Sequence, residues 1–546
     1  MPSLRKNKQG EIFMKKTTKK ILALLLSLLM ILSVSAVAFA ESDVTPVIVV
    51  SGMNSFPLTL AETGQQVWPP NTDSILSAVK KNILPLTKFL FTKDWQYLGD
   101  ELIPDVYEEI FKYVACDEKG NSIYDIEVAT FPKSVDNYPD VFGLPESDAG
   151  EKGIVNTLID TIGAENIYYF NYDWRLSPLK HADDLKAFID NVKKEEGASE
   201  VTLIPCSMGG TVTNSYLYKY GSDGIKKIIY TMSAIQGLSS VGEMFSRDLD
   251  FSIDTILSYA FSSNKDNLKM QVLMAVVSTA VELMPKLGKF ADDFIDESLY
   301  ELNDRIFDEL MIKTMGTFAG WWALVPKDYY VNAKENFFRG KQSEAFARET
   351  DEYHFFVNRF ADKLMTKAAE NGTEIYVVAS YGFVGAPYTD QAMTQTDRLI
   401  ETKYQSGLAF TAPYGEPFGK DYKAIGTACS DSSHTHVSTD GIIDASTCFF
   451  PENTWFLKYN THVGVPYGTD CADFMAYLVT SDSYVNVRSN EKYPQFMEFD
   501  RLTGELSSLT GDEITPDIKD SDSNFLVRLY IIADTLIRNI KILFSK

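Results

Sequence analysis

VTLIPCSMGG, residues 201–210, runs into TVTNSYLYKYG, residues 211–221, and the reading of the whole chain turns on this stretch. Val201, Thr202, Leu203 and Ile204 give a short buried-strand signal, the next six residues a sharp turn, and the residues after them a helix. The order strand, serine, helix is that of a nucleophile elbow. There a serine on a strained turn projects its hydroxyl above a sheet, and small neighbours let helix and strand pack closely. Gly209 and Gly210 are those neighbours here. A bare SxGG also fits an ordinary helix N-cap, where serine is a preferred residue, so the flanking chain has to decide.

Working outward, helix and strand alternate as a parallel sheet requires: residues 155–162 helical, 167–170 strand, 183–193 helical, 201–204 strand, 211–220 helical, 228–232 strand. Upstream, VTPVIVV (residues 44–50) is a buried-strand run that ends in Ser51-Gly52-Met53-Asn54. A glycine turn at that place suits an oxyanion-hole donor. The backbone N–H of Met53 or Asn54 is expected to supply one donor and that of Met208, after the serine, the second. The fold class expected is α/β, a mostly parallel α/β-hydrolase sheet flanked by helices with a large helical cap or lid insertion. Residues 41–237 form the first part of the core, with a helical insertion at about 60–115. Residues 238–371, rich in Met, Phe and Trp, form the cap, for which a plain helical subdomain with its own core is the alternative. Strand pattern returns in EIYVVAS (residues 374–380), and residues 372–480 complete the core. Residues 481–546 are read as a polar, loop-rich tail closed by an amphipathic helix at 525–544 whose basic residues suit peripheral membrane contact, with docking on the body of the protein as the alternative.

Residues 1–40 stand apart. Lys15, Lys16, Lys19 and Lys20 precede an apolar run that ends in Ala38-Phe39-Ala40, the pattern of a secretory signal peptide cleaved after Ala40. Met14 is an alternative start. Without the leader the chain carries 44 basic and 74 acidic residues, a formal net charge of −30. Such a surface repels polyanions and argues against nucleic acid as a partner. The five cysteines, Cys116, Cys206, Cys429, Cys448 and Cys471, leave four once Cys206 is placed in the elbow, and a Cys429–Cys448 disulfide is the pairing preferred.

Serine chemistry needs a base to take the hydroxyl proton and an acid to orient that base, following the serine in the order acid, then histidine, on this framework. Of the five histidines, His181 is expected at the surface and His354 falls in the helical insertion. His434 and His436 precede the acid candidate Asp440, which leaves His462 as base. Asp440, on a DG turn, is the first choice for the acid, with Asp444 and then Asp390 behind it. His434 and His436, weighed as metal ligands with Asp431 or Asp440, are expected to be solvated loop residues, because an isolated HxH is a weak signal. No metal and no cofactor are expected.

The set Tyr172-Asp173-Trp174-Arg175-Leu176, Cys206-Ser207-Met208-Gly209-Gly210, Asp440-Gly441-Ile442-Ile443 and Asn460-Thr461-His462-Val463-Gly464 resembles the lecithin:cholesterol acyltransferase family of α/β hydrolases. The similarity lies in spaced motifs from about residue 47 to 478, of which YDWRL is the most specific. It implies Ser207 as nucleophile, Asp440 as acid and His462 as base, in a secreted lipase, phospholipase or acyltransferase whose lid covers an apolar acyl site. The substrate implied is a lipid or other acyl ester. This chain departs from the pattern at Pro205, and at Ser51-Gly52, where the family tends to have Pro-Gly. An idle binding protein, a peptidase and a carbohydrate esterase on the same fold are the rival readings. Asp173 and Arg175 are read as a buried structural pair.

Overall fold

The computed structural model describes residues 44–70, 72–143, 151–247, 289, 300–338, 342–386, 394–414, 416–426, 429, 431–432, 434–462, 464–500 and 503–510. The expected leader at 1–40, residues 248–288 and 290–299 of the expected cap, Asp390 and residues 525–544, expected as a helix, lie outside them.

Eight strands form the central sheet: β1 (Val47–Val50), β2 (Ile167–Phe170), β3 (Val201–Pro205), β4 (Ile225–Thr231), β5 (Glu374–Tyr381), β6 (Thr454–Lys458), β7 (Phe496–Phe499) and β8 (Leu506–Ser508). Their order is β8-β7-β6-β5-β4-β3-β1-β2. Every pairing is parallel except β7 with β8 at one edge. Parallel strands are covered on both faces, so they read as continuous apolar runs rather than as alternation. β1, β2 and β3 are buried at every position.

Successive side chains point to opposite faces, and the two cores divide accordingly. Val47, Val49 and Ile204 join the core under α1 (Glu151–Ile162) and α5 (Asp470–Thr480). Ile48, Val50 and Leu203 join the opposite core, under α2 (Pro178–Glu196), α3 (Gly209–Tyr220) and α4 (Ala361–Glu370). α2 is a well-terminated helix. Ser177 Oγ accepts from Leu179 N, Pro178 opens the first turn, and Gly197 at φ 63° closes the last.

The chain runs from β1 to one neighbour, β2, and then to the other, β3, so the strand order reverses beside β1. In open α/β sheets that reversal leaves a crevice at the carboxyl ends of the strands. Both Ser51-Gly52 and the elbow lie there.

Two expectations change, and one alternative is not met. Residues 481–510 are not all loop, because β7 and β8 extend the sheet to Ser508. α4 packs on the sheet and on α3, so the core resumes at Ala361 rather than at residue 372. The described part of the cap does not have a core of its own, for Phe307, Trp322, Phe337 and Phe346 belong to the same apolar cluster as Ile48 and Leu203.

His354, in the insertion, is buried against Tyr330 with ring centroids 3.7 Å apart, and its Nε2 lies 2.9 Å from Trp322 O. Burial pushes its pKa down to about 3. An unfolded imidazole titrates near ~6.5. Below that pH the unfolded chain takes up a proton that the folded chain refuses, so the stability present above pH ~6.5 is lost progressively as pH falls toward the folded value. The slope is at most about 1.4 kcal/mol per pH unit. His354→Gln is expected to remove that slope, read as the difference in unfolding free energy between pH 7 and pH 5. An unchanged difference contradicts it.

Candidate active site

Ser207 follows β3 with φ 50°, the left-handed region that a side chain occupies only at a cost. The turn is held from both sides. Gly209 N donates to Cys206 O at 2.7 Å, and Ala234 N donates to Ser207 O at 2.8 Å. Pro205 is accommodated because the bond to β1 is made by the next residue, Cys206 N donating to Val50 O at 3.0 Å. Its carbonyl accepts from Ser233 Oγ at 2.6 Å.

The two glycines do what the sequence reading asks of them. A Cβ on Gly209 would lie 2.4 Å from Val50 O, and one on Gly210 3.0 Å from the Ser233 Cβ. Only bare backbone lets α3 start this close to the end of β1.

His462 lies beyond β6, and its Nε2 is 2.9 Å from Ser207 Oγ. Its Nδ1 is 2.7 Å from Asp397 Oδ2, and its backbone N donates to Asp397 O at 2.8 Å. The sequence reading had not considered Asp397. This carboxylate is fully buried, and its Oδ1 accepts from Leu399 N at 2.9 Å and Ile400 N at 2.8 Å. The turn that carries it is tied to the end of β5: Phe383 and Thr396 exchange backbone hydrogen bonds, and Gln395 Oε1 accepts from Gly382 N.

Asp440, expected as the acid, is engaged elsewhere. Its Oδ2 accepts from Tyr381 Oη at 3.0 Å and pairs with Lys458 Nζ at 3.2 Å, and its Oδ1 accepts from Ser438 Oγ at 2.6 Å. Lys458 is nearly buried, and a buried ammonium needs a counter-charge. That need explains the position of Asp440. Asp444 is equally committed, accepting from Tyr422 Oη at 2.7 Å, Ile425 N at 3.0 Å and Ser446 N at 3.0 Å. Neither carboxylate hydrogen-bonds to His462.

Met208 caps the start of α3, and its backbone N–H donates to no backbone carbonyl among the described residues. Such a donor at a helix N-terminus suits a developing negative charge. Met53 and Asn54 lie in the turn after β1, where Asn54 has φ 63° and its Oδ1 accepts from Trp68 Nε1 at 2.7 Å.

The cap meets the elbow directly. In the helix Ala319–Ala323, Gly320 N donates to Arg175 O at 3.1 Å. A Cβ on Gly320 would lie 2.0 Å from Trp174 O and 2.6 Å from Met208 Cε. Trp174 packs against Phe318 and Trp68, with centroids 5.8 Å away in each case. Arg175 is fully buried and bridges Asp173 (2.6 and 2.9 Å), Val114 O (2.8 Å) and Ser122 Oγ (3.0 Å), the brace read from YDWRL. His181 is not at the surface as expected. It is buried, with Nε2 2.8 Å from Asp173 O, and helps hold that turn.

The five cysteines are free, so the Cys429–Cys448 disulfide is not formed. Cys448 is buried in a small apolar cluster with Ala379 and Phe456, while Cys429 lies beside Arg488.

A mostly parallel sheet, a strained serine between β3 and α3, and histidine and aspartate on loops beyond later strands define an α/β hydrolase. Residues 159–375 match the family model described as lecithin:cholesterol acyltransferase, so over that stretch, less than half of its length, the chain is similar to this family. The matched stretch contains YDWRL and the elbow and ends before Asp397, Asp440 and His462. The chain is also similar to the solved structure titled "The crystal structure of Tle4-Tli4 complex", at 11% identity, over 91% of this chain and 100% of that one, with a TM-score of 0.25. A likeness at that level adds nothing to the fold assignment, which rests on the sheet order. No curated protein matches the sequence.

Proposed function

We propose that the protein is an exported serine hydrolase that cleaves or transfers the acyl group of lipid-type esters through Ser207, His462 and Asp397. The observation that carries this reading is the continuous relay from Ser207 Oγ through the His462 ring to the buried Asp397 carboxylate.

The chemistry follows from the protonation that relay favours. His462 Nδ1–H donates to Asp397, which leaves the Nε2 lone pair toward the serine. As Ser207 Oγ attacks the ester carbonyl, Nε2 takes its proton, and the carbonyl oxygen becomes an oxyanion. The Met208 N–H and one donor from Met53 or Asn54 stabilise that charge, each worth about 2.7–4 kcal/mol in a site of this kind. The imidazolium then gives its proton to the leaving alcohol as the ester C–O bond breaks, and the acyl group stays on Ser207. Water or a second alcohol next gives its proton to His462 as it attacks the acyl carbon, and His462 returns that proton to Ser207 Oγ as the acyl bond to the serine breaks, releasing free acid or a new ester.

Trp68, Trp174, Phe318 and Met208 around the elbow support an apolar acyl chain as the group bound. The leader at residues 1–40 supports export. Among the described residues, no helix is long and apolar enough to cross a membrane. Contact with a lipid surface, through the basic helix at 525–544, belongs to the same proposal.

A fluorophosphonate probe and a series of p-nitrophenyl esters test it. Labelling is expected at Ser207 by peptide mass spectrometry, with long-chain esters turned over at a higher kcat/KM than acetate. Well-folded protein that takes no label and turns over no ester removes the hydrolase reading. Preference for acetylated sugars or peptides removes the lipid part alone.

A further inference from the structure

Far from the serine, at the opposite end of β6 from His462, Cys429, His434 and His436 converge so that one ligand atom from each lies within 4.8 Å of the others. We propose that these three residues, with Glu452, bind a structural zinc ion. A tetrahedral zinc with bonds of about 2.0–2.3 Å sets its ligand atoms roughly 3.5 Å apart, so closure asks for a shift of about an ångström.

The nitrogen of His436 that would face the metal is fixed by its other side. Gln495 Nε2 donates to Pro451 O at 2.7 Å and Thr454 O at 3.0 Å, which leaves its Oε1 as an acceptor, 2.8 Å from His436 Nδ1. Nδ1 therefore carries the hydrogen, and Nε2 presents a lone pair. A histidine held through its second nitrogen in this way is the usual surrounding of a metal-bound imidazole. His434 lies two residues before it in the chain, and its Nδ1 is buried with no hydrogen-bond partner. A buried polar atom left unsatisfied is destabilising, and a metal bond would satisfy it.

The sulfur is prepared in the same sense. Asp431 N donates to Cys429 Sγ at 3.4 Å and Arg488 Nη1 donates to it at 3.1 Å, which fix the position of the sulfur. Glu452 Oε1 lies 3.6 Å from Cys429 Sγ and 3.8 Å from His436 Nε2 and supplies the fourth position. On binding, the thiol loses its proton to solvent. Thiolate and carboxylate then balance the two charges of the ion, and Arg488, paired with Glu452, remains as an outer donor. A donor set of one thiolate, two imidazoles and one carboxylate favours zinc over the harder cations, which prefer oxygen.

The site has a structural task available to it. Between β5 and β6 the chain makes a long excursion with little regular structure, and Asp397 is carried on it. A metal clip from Cys429 to Glu452 would fasten the later part of that excursion to the short turn Pro451–Asn453 that starts β6.

The exported chain, purified without a histidine tag, tests this by elemental analysis after zinc titration and removal of free metal. Close to one zinc per chain is expected, together with a fall in Tm on chelation and a thiolate-to-cobalt charge-transfer band after cobalt exchange. Cys429→Ser and His434→Ala are each expected to weaken zinc binding more than a hundredfold, and Gln495→Leu by roughly 10–100-fold, as for loss of an outer partner. Where a variant fails to fold by circular dichroism, the wild-type chain still decides, since zinc must shield Cys429 from a thiol reagent and chelation must restore its reactivity. No zinc uptake by the apo protein, or equal uptake and equal thiol reactivity with and without metal, overturns the proposal.

Discussion

Replacing Ser207 by alanine is expected to lower ester kcat by about 10⁶-fold, the loss found when the nucleophile of such a relay is removed. Ser207 Oγ is the hydroxyl that His462 Nε2 holds, and a backbone donor at Met208, as proposed, would stabilise an oxyanion but could not form the acyl bond. The substitution should leave the fold intact, since the serine side chain serves no bond other than the one to His462. A second variant separates chemistry from strain. At φ 50° a Cβ is disfavoured by roughly 1–2 kcal/mol, whereas glycine accepts this conformation freely. Ser207→Gly should therefore be as inactive as Ser207→Ala and more stable by about 1 kcal/mol, read by denaturant unfolding. Undiminished turnover in the alanine variant, with host esterases excluded, would put the chemistry elsewhere.

That strain is also why the sequence around the serine could be read. A turn that must hold a side chain at positive φ, and bring a helix to 2.4 Å of Val50 O at a would-be Cβ, leaves small residues at fixed offsets, here Gly209 and Gly210. The buried strands β1 to β5 were legible for a similar reason, since a parallel sheet covered on both faces writes continuous apolar runs. β7 and β8 were not. Phe496–Phe499, next to the edge strand, alternates half-buried and buried positions, and Leu506–Ser508 at the edge buries one residue, so neither produces a run. His462 followed from order along the chain. Asp397 did not, because its role depends on Phe383 and Thr396 folding the excursion back onto the end of β5, a pairing without a local signature. The DG turn at Asp440 has such a signature, and the turn is real, with Gly441 at φ 69°. A turn signature reports backbone shape, however, and does not say which cation the aspartate will meet.

The two aspartates give the sharper test, since their substitutions should fail in different ways. Asp397→Asn keeps the shape of the side chain but gives its amide a hydrogen to offer, so His462 can be held with Nε2 protonated and the lone pair turned away from Ser207. A loss of about 10⁴-fold in kcat is expected, with near-normal stability. Asp440→Asn leaves the relay untouched and takes the counter-charge from the nearly buried Lys458. Its expected signature is a loss of stability of about 3 kcal/mol, as when one partner of a buried pair is removed, with kcat of the folded fraction changed little. Measuring kcat and unfolding free energy for both variants distinguishes the acid of the relay from the acid of the ion pair. Should Asp440→Asn be the one to lose four orders of magnitude while Asp397→Asn stays active, then His462 is oriented during turnover by a partner other than the one it holds at rest. The loop between β5 and β6 would have to rearrange before the serine could be activated.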